Sequence, residues 1–164
     1  MKRLATVLFF GVAGLIASSG FSKELEVFKV TVNYDLRLEA AIQAGKYDYV
    51  NENITEKNFW NAHKGTAELD IVLVHLDRKV SYEEAIQELH KRGLRPAKLK
   101  ELLAFGAKYL DEQKYIIVAL GTVWWPWYGA RGVVCLFGSA GGRFLDLADD
   151  FADGEDYRFA GVRK

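Results

Sequence analysis

The chain has 164 residues, 50% of them hydrophobic, which is enough for one packed core. It carries 22 basic and 22 acidic side chains, and setting aside residues 1–22 leaves 20 basic against 22 acidic ones. This balance argues against a broad nucleic-acid surface, because such a surface needs clustered positive charge. The single cysteine, Cys135, excludes an intramolecular disulfide and a cysteine-based zinc site.

The first 22 residues have the order of regions found in a secretory signal peptide. Two basic residues precede an apolar run over residues 4–17, and small residues follow up to Ser22. The run is shorter than the ~20 residues of a spanning helix, so no permanent membrane span is expected. The sequence therefore predicts a signal peptide over residues 1–22, a single domain over 23–164, and a secreted or periplasmic protein. The alternative is a cytoplasmic protein in which the apolar segment is part of the fold.

The first elements after this segment are a strand and one or two short helices. Alternating apolar residues predict a strand over residues 25–32. Asp35 is placed to cap a helix that ends at Gly45, and a second short helix is expected to begin near Thr55. Residues 66–76 form the most strongly apolar strand, which we expect at the centre of the sheet.

Residues 81–105 predict two amphipathic helices joined by an elbow. Ser81 and Glu84 have the spacing of a capping box, in which each side chain accepts a hydrogen bond from the other residue's amide. Gly93 ends the first helix. Pro96 keeps the residue before it extended and can open the second helix.

The rest of the chain predicts strands bounded by glycine and aspartate turns, over residues 115–120, 132–137, 143–147 and 157–162. The fold class is therefore α+β, with the N-terminal strand and helix adding to the same sheet. Strand and helix periodicity predicts a buried position for Ile71, Leu73, Ala85, Leu89, Leu102, Ile117 and Phe159.

Residues 93–103, G-L-R-P-A-x-L-x-E-L-L, follow a helix and resemble a segment of C-type-lectin-like folds of the formylglycine-generating-enzyme kind. In those folds a tryptophan-containing strand, paired hairpin strands and an arginine-bearing terminal strand come next, as over residues 118–163 here. The chain is also similar to a group of small bacterial proteins ending in R-F-x-x-V-R-K. The resemblance implies a C-type-lectin-like C-terminal half. It implies no chemistry, because the calcium-binding triplets of sugar-binding lectins and the enzyme's cysteine pair are absent from the sequence.

The candidate binding residues are the large aromatic side chains, and one arginine, between two predicted strands. Aromatic rings in a loop bring large contact area at low entropic cost, which suits a protein or glycan partner. The alternative is that Trp124 and Trp127 turn inward as core residues. We name residues 124–131 the aromatic loop, and its candidate binding residues are Trp124, Trp125, Trp127, Tyr128 and Arg131.

An acidic run over residues 146–156 raises the question of a calcium site, with Asp149, Asp150 and Asp153 as its candidate ligands. The spacing does not match a calcium-binding loop, so the sequence favours a solvated turn and no metal. His75 and Cys135 sit in apolar strands and are expected to be structural.

Three arginines, Arg95, Arg158 and Arg163, are expected to pair with carboxylates such as Glu101 or with carbonyls. The alternative is a cluster of arginines that binds an anion.

No pair of residues identifies a nucleophile and its base or a general acid and base, so no catalytic residue and no cofactor is predicted. The sequence favours a small exported, non-enzymatic binding module that contacts a protein or glycan through the aromatic loop. The alternative is a cytosolic accessory protein, serving a mobile element or housekeeping, that is not secreted. An enzyme is the third choice.

The signal-peptide prediction can be tested by the intact mass of the protein from its native host. We expect a chain that begins at Gly20 or Lys23, because small residues precede both positions. A mass that includes Met1, or that begins near Lys2, would contradict export.

Overall fold

The computed structural model describes residues 26–126, 129, 131–149 and 156–164. The predicted signal peptide lies outside these residues. Helices and one mixed sheet are both present, as expected for the α+β class. The elements in chain order are β1 (Val27–Asn33), α1 (Leu38–Gly45), β2 (Tyr49–Val50), β3 (Thr66–Val74), α2 (Tyr82–Lys91), β4 (Leu94–Pro96), α3 (Leu99–Lys108), a 3-10 helix (Leu110–Lys114), β5 (Ile116–Trp124), β6 (Gly132–Ser139), β7 (Gly142–Ala148) and β8 (Tyr157–Arg163).

The C-terminal strand β8 joins the two halves of the sheet. The strand order is β1-β3-β8-β5-β6-β7-β2, and β4 also pairs with β8. Strand β8 is antiparallel to β3 over residues 159–162 and parallel to β5 over residues 157–159. Its last residues, 161–163, pair with β4. The first described strand and the last therefore belong to the same sheet.

Both faces of the sheet are covered by helices. Along β5, Ile117 and Ala119 pack on one face in a cluster that includes α1 and α3, whereas Val118 and Leu120 pack on the other face with α2. Strands buried on both sides read as continuous apolar runs, which explains why the sequence of β5 shows little alternation between apolar and polar residues.

The predicted helix pair and its elbow are confirmed. Ser81 Oγ accepts from the amide of Glu84 at 3.2 Å, and Glu84 Oε2 accepts from the amide of Ser81 at 2.8 Å. Gly93 has a φ of 72°, which glycine adopts without the clash that a Cβ would cause. Pro96 does not open the second helix, because α3 begins at Leu99 after the N-cap Lys98. The extended residues around Pro96 form β4, so the elbow itself is a strand of the sheet.

Two predictions about local helices are wrong. The carboxylate of Asp35 accepts from the amide of Gly65 and does not cap α1. Instead, Glu56 Oε1 accepts from the amide of Leu38 at the start of that helix. Near Thr55 the chain forms a turn, in which Thr55 Oγ1 accepts from the amide of Asn58, and no helix.

Two other expectations about burial and position need correction. All the residues predicted to be buried are buried except Leu73, which is half-buried and packs against the core from its edge. Strand β3 lies inside the sheet, but it is next to the edge strand β1 and is not central. Its apolar faces are covered because α2 and α3 contribute to the clusters on either side of the sheet.

A bulge in β5 brings that strand close to the start of α3. Its register against β6 shifts between Ala119 and Val123. At Gly121 a Cβ would lie 2.6 Å from the carbonyl oxygen of Ala97, and the Gly121 amide donates to that oxygen at 2.7 Å. The next residue, Thr122, accepts from the amide of Leu99 through Oγ1. A side chain at Gly121 would therefore separate β5 from α3.

The carboxylate of Glu101 is completely buried and is surrounded by donors. Arg95 Nη2 and Nη1 donate to its two oxygens at 2.8 and 2.9 Å. Tyr34 Oη donates at 2.6 Å, and the amide of Lys98 donates at 2.8 Å. The pairing of Arg95 with Glu101 that the sequence suggested is confirmed.

Burial raises the pKa of a carboxyl group, but the hydrogen bonds from Arg95 and Tyr34 outweigh burial and hold the pKa of Glu101 below its ordinary value. Burial and the bond to Glu101 both raise the pKa of the Tyr34 hydroxyl. Each group is therefore held in the form that the bond needs, a carboxylate that accepts and a phenol that donates. The network joins the end of β1, the strand β4 and the first turn of α3.

Glu101→Gln should destabilise the protein by about 3 kcal/mol, because it leaves Arg95 partly buried without its charge partner. The measurement is urea unfolding at neutral pH. Glu88→Gln is the matched control, since Glu88 pairs with Lys91 and Arg92 on the surface, and its unfolding midpoint should stay close to that of the wild type.

The same variants give a test by pH. A lowered pKa means that the stability from Glu101 is present above its unfolded pKa, near 4.5, and is lost as the pH falls through the folded pKa. Glu101→Gln should therefore lose less stability than the wild type between neutral and acid pH. Equal acid sensitivity of the two proteins would show that the carboxylate contributes nothing in its charged form.

Candidate binding surface

The aromatic loop connects β5 to β6, and the structure describes part of it. Trp124 is the last residue of β5, and Trp125, Pro126, Gly129 and Arg131 are described beyond it. Trp127 and Tyr128, two of the predicted binding residues, lie outside the described residues. The structure therefore places three of the predicted residues, Trp124, Trp125 and Arg131.

The first two tryptophans have different surroundings. Trp124 is half-buried and packs against the core cluster on the α3 side of the sheet. It pairs with Gly132 of β6, where a Cβ would lie 3.2 Å from its ring. Trp125 is 61% exposed. Trp124 is thus largely a core residue, as the alternative interpretation held, whereas Trp125 presents an indole ring to solvent.

Arg131 is held between two aromatic rings. Its guanidinium carbon lies 4.0 Å from the ring centre of Tyr82 and 5.1 Å from that of Trp125. Cations over aromatic faces are attracted by the ring quadrupole, and arginine is the commonest such cation. Arg131 Nη2 also donates to Glu83 Oε1 at 2.8 Å. We call Tyr82, Glu83, Trp125 and Arg131 the Arg131 cluster.

Helix α2 fixes the other two members of this cluster. Tyr82 and Glu83 are its first residues, directly after the cap at Ser81, so the capping box sets their positions. Tyr82 Oη donates to the carbonyl of Leu120 at 2.9 Å, which fastens the ring to β5.

The electrostatics of the cluster follow from these contacts. The hydrogen bond from Arg131 is the main cause that lowers the pKa of Glu83. Burial raises the pKa of Tyr82, and the charge of Arg131 partly offsets that effect. Tyr82 is therefore a neutral phenol and Glu83 an anion at neutral pH, so Arg131 has one charged and two aromatic partners.

A shallow pocket of about 310 Å³ opens beside the cluster. Within the described part of the chain, Arg131 Nε is buried and has no hydrogen-bond partner. Buried donors are nearly always paired, so an unpaired one in a pocket wall calls for an acceptor from outside. The pocket is lined by Ser81, Tyr82, Trp125, Arg131, Val133 and Asp149, among others.

Sequence reasoning missed Tyr82 and Glu83 as site residues. Both precede the apolar stripe of α2, so they looked like the start of an ordinary helix. The available signal was an aromatic residue at the first helical position, directly after the capping serine. Their contact with Arg131, 48 residues away along the chain from Glu83, is not visible in a local pattern.

The other candidate residues have structural surroundings where they are described. Arg158 stacks on Tyr115 at 4.0 Å, and Arg163 lies 3.9 Å from a carboxylate oxygen of Asp70. With Arg95 on Glu101, each of the three arginines has a different partner, which does not favour one anion-binding cluster. His75 follows β3 and its Nδ1 lies 3.0 Å from a carboxylate oxygen of Asp77. Cys135 is buried, and burial raises the pKa of its thiol to about 12.

The acidic run is only partly described, because Asp150 and Asp153 lie outside the described residues. Asp146 Oδ1 accepts from Asn51 Nδ2 at 2.7 Å, so this carboxylate has a structural partner. Among the described residues no group of three histidine, cysteine, aspartate or glutamate side chains is arranged to hold a metal ion. That the run is a solvated turn stays a prediction.

No family model, curated protein or solved structure matches this chain. Of the helices that the structure describes, none has the length and apolar character needed to cross a membrane.

The two neighbouring tryptophans give a test of the surface. Trp124→Ala should cost about 2 to 4 kcal/mol, somewhat less than a fully buried aromatic residue. Trp125→Ala should change stability by less than about 0.5 kcal/mol, since its ring is mostly in solvent. Urea unfolding of both variants is the measurement, and a larger loss for Trp125→Ala would show that Trp125 belongs to the core.

Proposed function

We propose that this chain is a small exported, non-enzymatic binding module that contacts a protein or glycan through the Arg131 cluster. The observation that carries the proposal is an exposed indole, Trp125, beside an arginine that is already held in place by Tyr82 and Glu83. Side chains that are ordered before binding lose little entropy when a partner arrives.

The composition of the cluster supports a binding role over a purely structural one. Tryptophan, tyrosine and arginine are the residues that most often dominate binding energy at interfaces. Surface stability alone does not require an indole that is 61% exposed. The unpaired Nε of Arg131 adds a donor for a carbonyl, carboxylate or hydroxyl oxygen of the partner.

We also propose that the C-terminal half has a C-type-lectin-like fold. Its support is the order of elements: α2, the elbow, α3, three consecutive antiparallel strands β5, β6 and β7, and a terminal strand β8 beside β5. In this proposal the aromatic loop is a connection between two strands of the hairpin region, where loops on a rigid scaffold commonly carry function.

The binding test compares two exposed aromatic residues. Trp125→Ala should weaken capture of a partner at least tenfold, because an aromatic anchor at the centre of an interface is worth about 1.4 kcal/mol or more. Tyr49→Ala is the matched control, since Tyr49 is 45% exposed and lies outside the Arg131 cluster. Binding is measured on a glycan array and by crosslinking to host proteins.

Arg131→Gln provides a second variant that keeps most of the side-chain volume. It should lose binding together with Trp125→Ala, while thermal melting shows that both variants are folded. Undiminished capture by both variants, or an equal loss in Tyr49→Ala, would reject the Arg131 cluster as the contact surface.

A further inference from the structure

A second cavity lies on the other side of the sheet from α2, where α3 begins. It has a volume of about 190 Å³ and is formed by the start of α3, the bulge of β5 and the segment around Trp60. Its floor is apolar, and none of the residues that line it is acidic. We call it the Lys98 cleft. Its polar lining consists of Asn61, His63, Lys98, Lys100 and Thr122, and Trp60 also lines it.

The two lysines of the Lys98 cleft are held by an imidazole and by backbone carbonyl oxygens. Lys98 Nζ lies 2.9 Å from His63 Nε2. Lys100 Nζ donates to the carbonyl oxygens of Tyr34 and Leu36 at 2.7 and 2.6 Å, which fixes its ammonium group in place. Among the described residues neither lysine forms an ion pair. The two ammonium groups are therefore held in position, but no described carboxylate forms an ion pair with them.

The nearest carboxylates are already engaged elsewhere. Glu101 has its charge matched by Arg95. Asp35 accepts from the amide of Gly65, and Glu56 accepts from the amide of Leu38. None of these acids forms an ion pair with Lys98 or Lys100, although Asp35 and Glu56 line a neighbouring pocket together with Lys100.

The Lys98 cleft also contains neutral side chains that form hydrogen bonds. Thr122 Oγ1 accepts from the amide of Leu99, which leaves its own O–H to donate. Asn61 exchanges hydrogen bonds with the backbone of His63, at 3.0 and 3.2 Å, and so shapes the segment that carries the imidazole. At the rim Trp60, 77% exposed, offers a flat apolar surface.

We propose that the Lys98 cleft binds the anionic group, phosphate or carboxylate, of a small ligand whose organic part lies against Trp60. Lysine ammonium groups bind such anions as point charges, and a charge-assisted hydrogen bond is roughly twice as strong as a neutral one. The cleft is smaller than the 300 Å³ or more that is usual for drug-sized ligands, so it suits an anionic group rather than a whole molecule. This site shares no lining residue with the Arg131 cluster and does not depend on the proposed function.

The test is a titration of the full chain with inorganic phosphate in a background of about 0.1 M salt, followed by the amide NMR signals of each residue. We expect saturable shifts at Asn61, His63, Leu99 and Thr122. Lys98→Gln should weaken binding by about tenfold or more, which is the loss of one hydrogen bond to a charged group. His63→Gln, on an exposed segment, is the second variant and should also weaken it.

Matched controls distinguish binding at a specific site from non-specific attraction by surface charge. Lys79→Gln removes an exposed lysine next to α2 and should leave the affinity unchanged within about twofold, since surface charges in salt act over about 10 Å. Trp125→Ala should also have no effect, so a failure of the Arg131 cluster and a failure of this site are distinguishable. Absence of saturable shifts, or an equal loss in Lys98→Gln and Lys79→Gln, would overturn the proposal.

Two pairs of probes identify the ligand chemistry. Acetate against inorganic phosphate shows which anion the Lys98 cleft prefers. A comparison of phenyl phosphate with glycerol phosphate tests the contact with Trp60. Phenyl phosphate should bind several-fold more tightly, because flat aromatic rings stack on exposed aromatic side chains. Trp60→Ala should abolish that advantage while keeping the binding of inorganic phosphate, and an advantage that persists in the variant would contradict the role of Trp60.

Discussion

The buried carboxylate of Glu101 is the constraint on which much of this fold depends. A charge with no solvent contact is tolerated only when donors surround it, and here those donors come from the end of β1, from β4 and from the start of α3. Strand β4 and helix α3 are neighbours in sequence, but Tyr34 lies 67 residues before Glu101, so satisfying one carboxylate fixes the end of β1 against both of them. The bond between Arg95 and Glu101 holds β4 against the start of α3. Strand β4 in turn pairs with the C-terminal strand β8.

The same constraint leads to the two candidate sites. Glu101 accepts from the amide of Lys98, so the first turn of α3 is fixed and Lys98 projects from a defined backbone. Strand β5 then links the sites across the sheet: its bulge brings Thr122 to α3, and its end carries Trp125 to Arg131 and α2. A strand covered on both faces thus contributes to a different surface on each side.

Local rules explain why parts of this structure could be predicted from the sequence. The capping box of α2, the glycine after it and the four C-terminal strands depend on residues within a few positions of one another, and all were found close to their observed bounds. Pairing of Arg95 with Glu101 was also predictable, because only six positions separate them. Leu73 lies beyond Val72, the last residue of β3 that pairs with β1, so β8 is its only neighbouring strand among the described residues.

The errors concern competition between distant groups. Asp35 has the right residue type to cap α1, but it lies two residues before the N-cap position, which Arg37 occupies. Glu56, 18 residues beyond Leu38, accepts from the first amide of the helix, and Asp35 bonds to Gly65 instead. The aromatic loop was predicted as a unit, yet Trp124 and Trp125 divide between core and surface because the strand continues through Trp124. The Arg131 cluster and the Lys98 cleft both combine residues from separate segments, and no spacing in the sequence brings those together.

The edges of the sheet bear on how a partner would be recognised. An exposed edge strand offers unpaired backbone groups, and many binding domains use it to add a strand from a peptide. Here the carbonyl of Lys29 on β1 already accepts from Lys108 Nζ and Tyr109 Oη, at 2.7 and 2.8 Å, and the opposite edge is the two-residue strand β2. One carbonyl of the β1 edge is therefore already taken, and β2 is too short to pair with a long segment. The proposed contact through the Arg131 cluster needs neither edge, since it relies on side chains: the exposed indole of Trp125 and the arginine held by Tyr82 and Glu83.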